Sequence, residues 1–263
     1  MIANKNLDYG KPFDWGRVSD DYAKYRDIYP PEFYEGIISL GICTKGQRVL
    51  DLGTGTGVLP RNLYRFGARF IGADIAENQI AQARKLSYKA GMDIEYVVAS
   101  AEEVDFPAAS FDVITACQCF FYFDKDVVYP KIQKMLKADG RLCVMYLVWL
   151  SAHSEIAAES ERLVLKYNPA WTGYKDSVRK PISPADFPKE LFSVETEAGF
   201  DIEIPFTRES WQGRIRACRG IGASALSPED ITAFEKEHAA YLGGVPEKFN
   251  ILHYASVLVL RKL

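Results

Sequence analysis

The segment Val49-Leu-Asp-Leu-Gly53-Thr-Gly55-Thr-Gly57 decides how this chain is read. An apolar run passes into three glycines at alternate positions, and residues 59–66 then carry apolar side chains at helical spacing. The pattern predicts a strand, a tight turn and a helix. Open α/β sheets hold nucleotide-type ligands at such junctions. Glycine there lets the backbone turn sharply and lets a ligand reach the main chain with no Cβ in the way. The spacing discriminates among ligands. A dinucleotide fingerprint, G-x-G-x-x-G, needs its third glycine at position 58, where this chain has Val58. Asp51, two residues before the first glycine, would repel a pyrophosphate and suits a cationic amino-acid group.

Outward from this turn, short β-rich runs alternate with amphipathic stretches. Strands are predicted over Arg48–Leu52 and residues 69–73, 94–98, 111–116 and 141–147, with helices over 59–66, 77–90 and 126–137. In the second helix Ile80, Ala81, Ala83 and Ala90 face inward, while Glu77, Arg84 and Lys89 face water. Gly67, Gly91 and Gly140 each follow a helix, at the left-handed position that favours glycine. Short helices are expected over residues 19–26 and, behind Pro30-Pro31, through Leu40. Residues 151–188 read as helix plus long loops. Two late strands, 200–206 and 251–260, flank a helix that Ser227 caps and that runs to about Tyr241. The fold class is therefore α/β, a doubly wound, seven-stranded, mostly parallel sheet. It is expected as one domain: an N-terminal helical cap (1–40), a ligand-binding core (41–150), and a lid insertion with the final strands (151–263).

Composition narrows the partners. Over 263 residues the formal net charge is −3 and the pI near 5.8, without the Lys and Arg surplus that wrapping nucleic acid requires. The longest apolar run, residues 142–150, falls well short of the roughly 20 residues of a membrane span. The polar start, Met1 to Gly10, shows no secretory h-region. Five cysteines, mostly inside apolar segments, read as reduced thiols of a cytoplasmic protein. Cys117-x-Cys119 lacks metal-ligand spacing and a second ligand pair, so no metal is expected. Asp74 closes the second strand 21 residues after Gly53, where a carboxylate can accept both hydroxyls of a ribose. Glu102, in Ser100-Ala-Glu102 after the third strand, reads either as a group at an adenine edge or as a helix-start carboxylate.

With these residues in place the chain resembles class I S-adenosylmethionine-dependent methyltransferases, in particular the small-molecule branch with the methyltransferase type 11 domain. The resemblance rests on Val49–Gly57, Asp74-Ile75, Ala101-Glu102 and Phe111-Asp-Val-Ile-Thr-Ala116, within roughly residues 22–147. It implies a Rossmann-like methyltransferase fold, S-adenosylmethionine as cofactor and a small-molecule acceptor. It also implies roles: Gly53 and Gly55 along the methionine part, Asp51 near its ammonium, and Asp74 on the ribose. Ile75 and Gln79 would flank the adenine, with Ala101 and Glu102 at its polar edge. Cys117 and Gln118 would lie under the sulfonium and the acceptor. Tyr22 and Arg26, on a closing N-terminal helix, would touch the cofactor, Arg26 through its carboxylate. One departure stands out. Gln118-Cys-Phe-Phe121-Tyr122-Phe-Asp124 has Phe121 and Tyr122 where many relatives have histidine and tryptophan, so that histidine base is missing.

On the acceptor side, Arg216 and Arg219 at i,i+3 read either as a clamp for an anionic group or as a solvated basic face paired with surface acids. Tyr146, Trp149, Trp171 and Tyr174 read as pocket walls or as ordinary core, and Tyr122 is a further acceptor-side candidate. His153, just past the fifth strand, is the best-placed base candidate of the three histidines, and Gln118 is the other catalytic candidate. Methyl transfer needs no obligatory acid or base, so the lack of a triad does not count against an enzyme. A binder that transfers nothing and a nucleotide-dependent oxidoreductase remain as alternatives, and the protein is expected to be a monomer or homodimer.

Overall fold

In the computed structural model, which describes Ile2 and residues 7–263, the apolar runs become the strands of one seven-stranded sheet. In chain order the elements are α1 (Ser19–Tyr25), α2 (Pro31–Ser39), β1 (Arg48–Leu52), α3 (Val58–Leu63), β2 (Arg69–Asp74), α4 (Glu77–Lys89), β3 (Glu95–Val98), β4 (Phe111–Cys117), α5 (Lys125–Met135), β5 (Leu136–Trp149), α6 (Glu155–Tyr167), β6 (Phe192–Thr207), α7 (Arg208–Arg216), α8 (Pro228–Gly243) and β7 (Lys248–Lys262). The strand order is β3-β2-β1-β4-β5-β7-β6. β1 pairs in parallel with β2 and β4, β2 with β3, and β4 with β5. Strand order thus reverses beside β1, and in open α/β sheets ligands bind at the carboxyl ends of the strands at that point.

The chain clusters into two compact units. One comprises Tyr29–Leu147, Pro181–Phe200 and Ala255–Leu263; the other comprises Met1–Ile28, Val148–Lys180 and Asp201–Tyr254. These limits differ from the sequence boundaries at 40 and 150, because α2 clusters with the central strands and β5, β6 and β7 each continue from one unit into the other. The reading of residues 1–10 falls partly on 1 and 3–6, outside the described residues.

In the first unit, Leu50, Leu52, Ile114, Leu142 and Val144 are fully or almost fully buried, as expected of strands covered on both faces. Gly67 and Gly91 adopt φ +85° and +67° after their helices. Gly140 does not close a helix. α5 stops at Met135, and Gly140 lies inside β5, where a side chain would strike Leu136 Cβ and Lys137 O at 2.9 Å. The inward face of α4 is Gln79, Ile80, Ala83 and Ser87; Ala81 and Ala90 are exposed, since the buried stripe follows i, i+1, i+4, i+8.

In the second unit, Ser227 caps α8 by accepting from Asp230 N at 3.1 Å. Residues 151–188 contain a full amphipathic helix, α6, capped by Ser154 accepting from Ala157 N at 3.3 Å. Ser160 on α6 joins α7 and α8: its Oγ accepts from Trp211 Nε1 at 2.9 Å and bonds His238 Nε2 at 2.9 Å. Among the described residues no helix is long and apolar enough to cross a membrane.

Candidate functional site

The glycine turn and Asp74 share one rim of the sheet. Thr54 N donates to Ala73 O at 2.9 Å, folding the turn back over the end of β2. Gly55 N then donates to Asp74 Oδ2 at 2.8 Å, and Ala76 N to Asp74 Oδ1 at 2.9 Å. Burial pushes the Asp74 carboxyl above its ordinary value, and these two N–H donors offset part of that rise.

Gly53 is required twice over. Its φ is +64°, and a Cβ there would stand 2.6 Å from Cys119 Sγ. Cys119, whose thiol donates to Leu52 O at 3.0 Å, therefore closes one side of the turn. On another side Tyr96 fills the space beside Gly57, its hydroxyl bonded to Ser87 Oγ at 2.9 Å.

Asp51 lies behind the turn at 2% exposure. β1 and β4 pair with Asp51 opposite Thr115, and the Thr115 hydroxyl donates to Asp51 Oδ1 at 2.6 Å. Burial raises the Asp51 carboxyl to about 6; the Thr115 bond pulls the other way, and nearby Asp74 adds to the rise. A carboxylate so short of solvent favours a cation placed beside it. The sign for stability follows. The folded value exceeds the ordinary 3.8, so the folded chain holds the proton longer, and stability is lost as pH rises from about 4 through about 6. Asp51→Asn is expected to raise the melting temperature at pH 8, by at most about 3 kcal/mol of stability, and to change little at pH 4. The same variant should weaken binding of a ligand ammonium about tenfold or more. Thermal melts at both pH values, with a binding titration, check both signs.

At the carboxyl end of β4, Cys117 Sγ donates to Tyr29 Oη at 3.4 Å. Gln118 follows in the left-handed region, φ +64°, with its backbone N on Met145 O at 2.9 Å and its side-chain amide on Leu147 O. A non-glycine residue held there carries strain of about 1–3 kcal/mol, which collects at functional sites. Phe121 packs on Tyr122 and Tyr146 with ring centroids 4.1 and 5.6 Å apart. The structure thus brings together Asp51, Gly53, Gly55, Asp74, Cys117, Gln118 and Tyr122 within the first unit.

Other candidates are placed differently. Ile75 is half exposed at the rim beside Asp74, whereas Gln79 is turned into the buried face of α4. Ala101 is buried. No helix starts at Glu102; its carboxylate accepts from Asp124 N at 2.8 Å and fixes the entry to α5. In the second unit, the Arg26 guanidinium stacks on Tyr22 at 4.7 Å. Trp149 donates to Glu161 Oε1 at 2.6 Å, and Ser177 also donates to that oxygen. Arg216 and Arg219 do not share a helical face, because α7 ends at Arg216. Arg216 is held by Asp21 at 2.5 Å and Glu235 at 2.7 Å, and Arg219 by Asp8 at 2.8 Å. Carboxylates of the chain thus balance both charges: the partly exposed Arg216 is paired with acids, as the second reading has it, whereas Arg219 is buried with Asp8. His153 Nε2 accepts from Arg179 Nη1 at 2.7 Å, which takes up the lone pair a base would use.

Sequence reasoning missed Tyr29, Tyr96, Thr115 and Cys119. Thr115 was within reach, since Asp51 and Thr115 sit mid-strand in neighbouring strands. The other three come into place only through tertiary packing. No group of metal-binding side chains occurs among the described residues.

Residues 50–144 match the family described as methyltransferase domain. A ubiquinone biosynthesis O-methyltransferase of Bradyrhizobium diazoefficiens is 30% identical over 190 residues, 71% of this chain and 73% of the relative. A Dictyostelium discoideum protein named as a methyltransferase is 29% identical over 130 residues, 49% of this chain and only about half, 47%, of its own length. Among solved structures, one described as a type II methyltransferase from Anaeromyxobacter dehalogenans superposes with a TM-score of 0.58 at 20% identity, covering 89% of this chain and 96% of that one. The MccD protein gives 0.54 at 17% identity, covering 89% and 97%. At such identities the structures speak for the fold alone.

Proposed function

The chain belongs to the class I S-adenosylmethionine-dependent methyltransferases, and from that premise we propose that the Gly53 turn and Asp74 hold S-adenosylmethionine for methyl transfer to a small-molecule acceptor. The observation that carries this reading is the bond from Gly55 N to Asp74, which ties turn and carboxylate into one rim. The residues fit the cofactor. Gly53 leaves the main chain bare where a Cβ would be blocked, Asp51 is a desolvated carboxylate suited to an ammonium, and Asp74 presents two oxygens for a sugar diol. When bound, the cofactor supplies a methyl group already activated by its positive sulfur.

The protein's own part is then alignment. Asp51 and the Gly53 turn orient the amino-acid end, and Asp74 accepts the ribose hydroxyls on the lone pairs that its two backbone donors leave. Ile75, exposed at the rim, offers a flat apolar face for the adenine, with Ala101 beyond it. Cys117, Gln118 and Tyr122 border the place where acceptor and methyl meet, and holding them in line contributes up to roughly 7–11 kcal/mol of barrier lowering. The bacterial ubiquinone biosynthesis O-methyltransferases among its relatives favour an oxygen atom as the point of attack. A cytoplasmic location belongs to the same proposal.

Titration calorimetry with S-adenosylmethionine, followed by product analysis on a metabolite panel, tests the reading. Binding together with S-adenosylhomocysteine formation is expected. Heat without product would make the protein a binder only, and thermal protection by NAD(P) in place of S-adenosylmethionine would move it among the oxidoreductases.

A further inference from the structure

Tyr29 brings a hydroxyl to the rim of the glycine turn from the chain segment that precedes α2. In β1 and β4 Leu52 pairs with Ala116, so the next residues, Gly53 and Cys117, adjoin across the gap between the strands, about 5 Å. Cys117 Sγ in turn donates to Tyr29 Oη at 3.4 Å. The phenol oxygen therefore lies at the carboxyl end of β4, beside the bare main chain of Gly53. Because the thiol is the donor, the lone-pair side of that oxygen faces the strand end.

The hydroxyl is held in place from both ends of its residue. Tyr29 precedes Pro30 and Pro31, and a following proline restricts a residue to extended backbone. Pro30 caps α2 at φ −74°, and its carbonyl accepts from Phe33 N at 3.0 Å. The Tyr29 ring packs on Phe33 and Tyr34, both buried, with centroids 4.8 and 6.1 Å away. A hydroxyl on so fixed a frame loses little freedom when it meets a ligand.

Building on the methyltransferase reading, which puts the methionine part of the cofactor along Gly53, we propose that Tyr29 is a further cofactor-binding residue. Its oxygen recognises the sulfonium methyl, so the site prefers S-adenosylmethionine to the demethylated product. A positive sulfur withdraws electron density from the carbons it carries, and their C–H bonds become donors toward an oxygen lone pair. S-adenosylhomocysteine has neither the charge nor the methyl and gains nothing from Tyr29. A rigid oxygen on one side of the methyl also limits its orientation, which serves the alignment on which the transfer depends. The same preference favours exchange of spent product for fresh cofactor.

Calorimetric titration of the parent protein and of Tyr29→Phe with three ligands tests this. The ligands are S-adenosylhomocysteine, S-adenosylmethionine and sinefungin, an analogue in which an amine-bearing carbon replaces the methyl-bearing sulfur. Tyr29→Phe keeps the ring and removes one oxygen, so its melting temperature should stay within a few degrees of the parent's. Its affinity for S-adenosylhomocysteine is expected to be unchanged. S-adenosylmethionine should bind about two- to fivefold more weakly, as loss of a C–H···O contact predicts. Sinefungin, whose charged amine donates a full hydrogen bond in the methyl's place, should lose about tenfold or more. Equal losses for all three ligands are what a merely structural role would produce, and they overturn the proposal. Parental affinity of Tyr29→Phe for S-adenosylmethionine or sinefungin, or no heat from sinefungin with the parent, overturns it too. Failure of the parent to bind S-adenosylhomocysteine at all would instead sink the cofactor reading on which it rests.

Discussion

Gly53→Ala is expected to unfold about 4–20 °C earlier than the parent protein and to show no measurable S-adenosylhomocysteine binding. Two costs add. At φ +64° an alanine carries roughly 1–2 kcal/mol of left-handed strain. The new methyl would also stand 2.6 Å from Cys119 Sγ and 2.7 Å from its Cβ. Cys119 is buried and bonded to Leu52 O, so it cannot simply swing away, and overpacking of this kind costs about 1–3 kcal/mol. At about 2–4 °C per kcal/mol for a chain of this size, the sum gives the stated range. Relief of the clash displaces the turn, which spoils the ligand cradle. Thermal melts and calorimetry on the double variant Gly53→Ala, Cys119→Gly, which removes both the Sγ and the Cβ that the new methyl would strike, separate the two costs. Stability should return in part while binding stays lost, because the strain of the turn remains. Full recovery of binding in the double variant would contradict this account of the turn.

Asp74→Ala should behave differently, losing affinity without losing the fold. Its carboxylate is desolvated and raised, so the ion itself adds little to stability, and the two N–H groups it leaves at Gly55 and Ala76 are near the surface rim. In the bound state the same two oxygens are assigned to both ribose hydroxyls, each a charge-assisted bond of about 1.5–3 kcal/mol. The dissociation constant for S-adenosylhomocysteine is therefore expected to rise about 100-fold or more, with a melting shift of only a few degrees. Asp74→Asn, which keeps one acceptor oxygen, should fall between. An Asp74→Ala protein with parental affinity would remove the ribose role.

The physics separates what the sequence discloses from what it hides. The strand-turn-helix at Val49–Gly57 was legible because glycine spacing and apolar periodicity are local properties, and Asp74 was legible because it closes the adjacent strand. The closure of the turn by Cys119 and Tyr96 was not, since both come from strands or loops far along the chain. The arginine pair misled because i,i+3 spacing implies a shared face only where a helix continues, and α7 stops at Arg216. β6 was read only over residues 200–206. Its first half, from Phe192, shows polar and exposed residues such as Glu195 and Glu197, as an edge strand tolerates, and so lacked an apolar alternation to detect. Residues 151–188 were read as helix plus long loops without bounds for the helix; Ser154 and the apolar spacing of Ile156, Leu163 and Val164 mark α6 as a capped amphipathic helix.

A crystal structure with S-adenosylhomocysteine tests the central claim most directly. The account requires the ribose hydroxyls within hydrogen-bond distance of both Asp74 oxygens and the amino-acid end over Gly53 with its ammonium toward Asp51. Density for the ligand away from Asp74, or ribose hydroxyls held by other side chains, would contradict it.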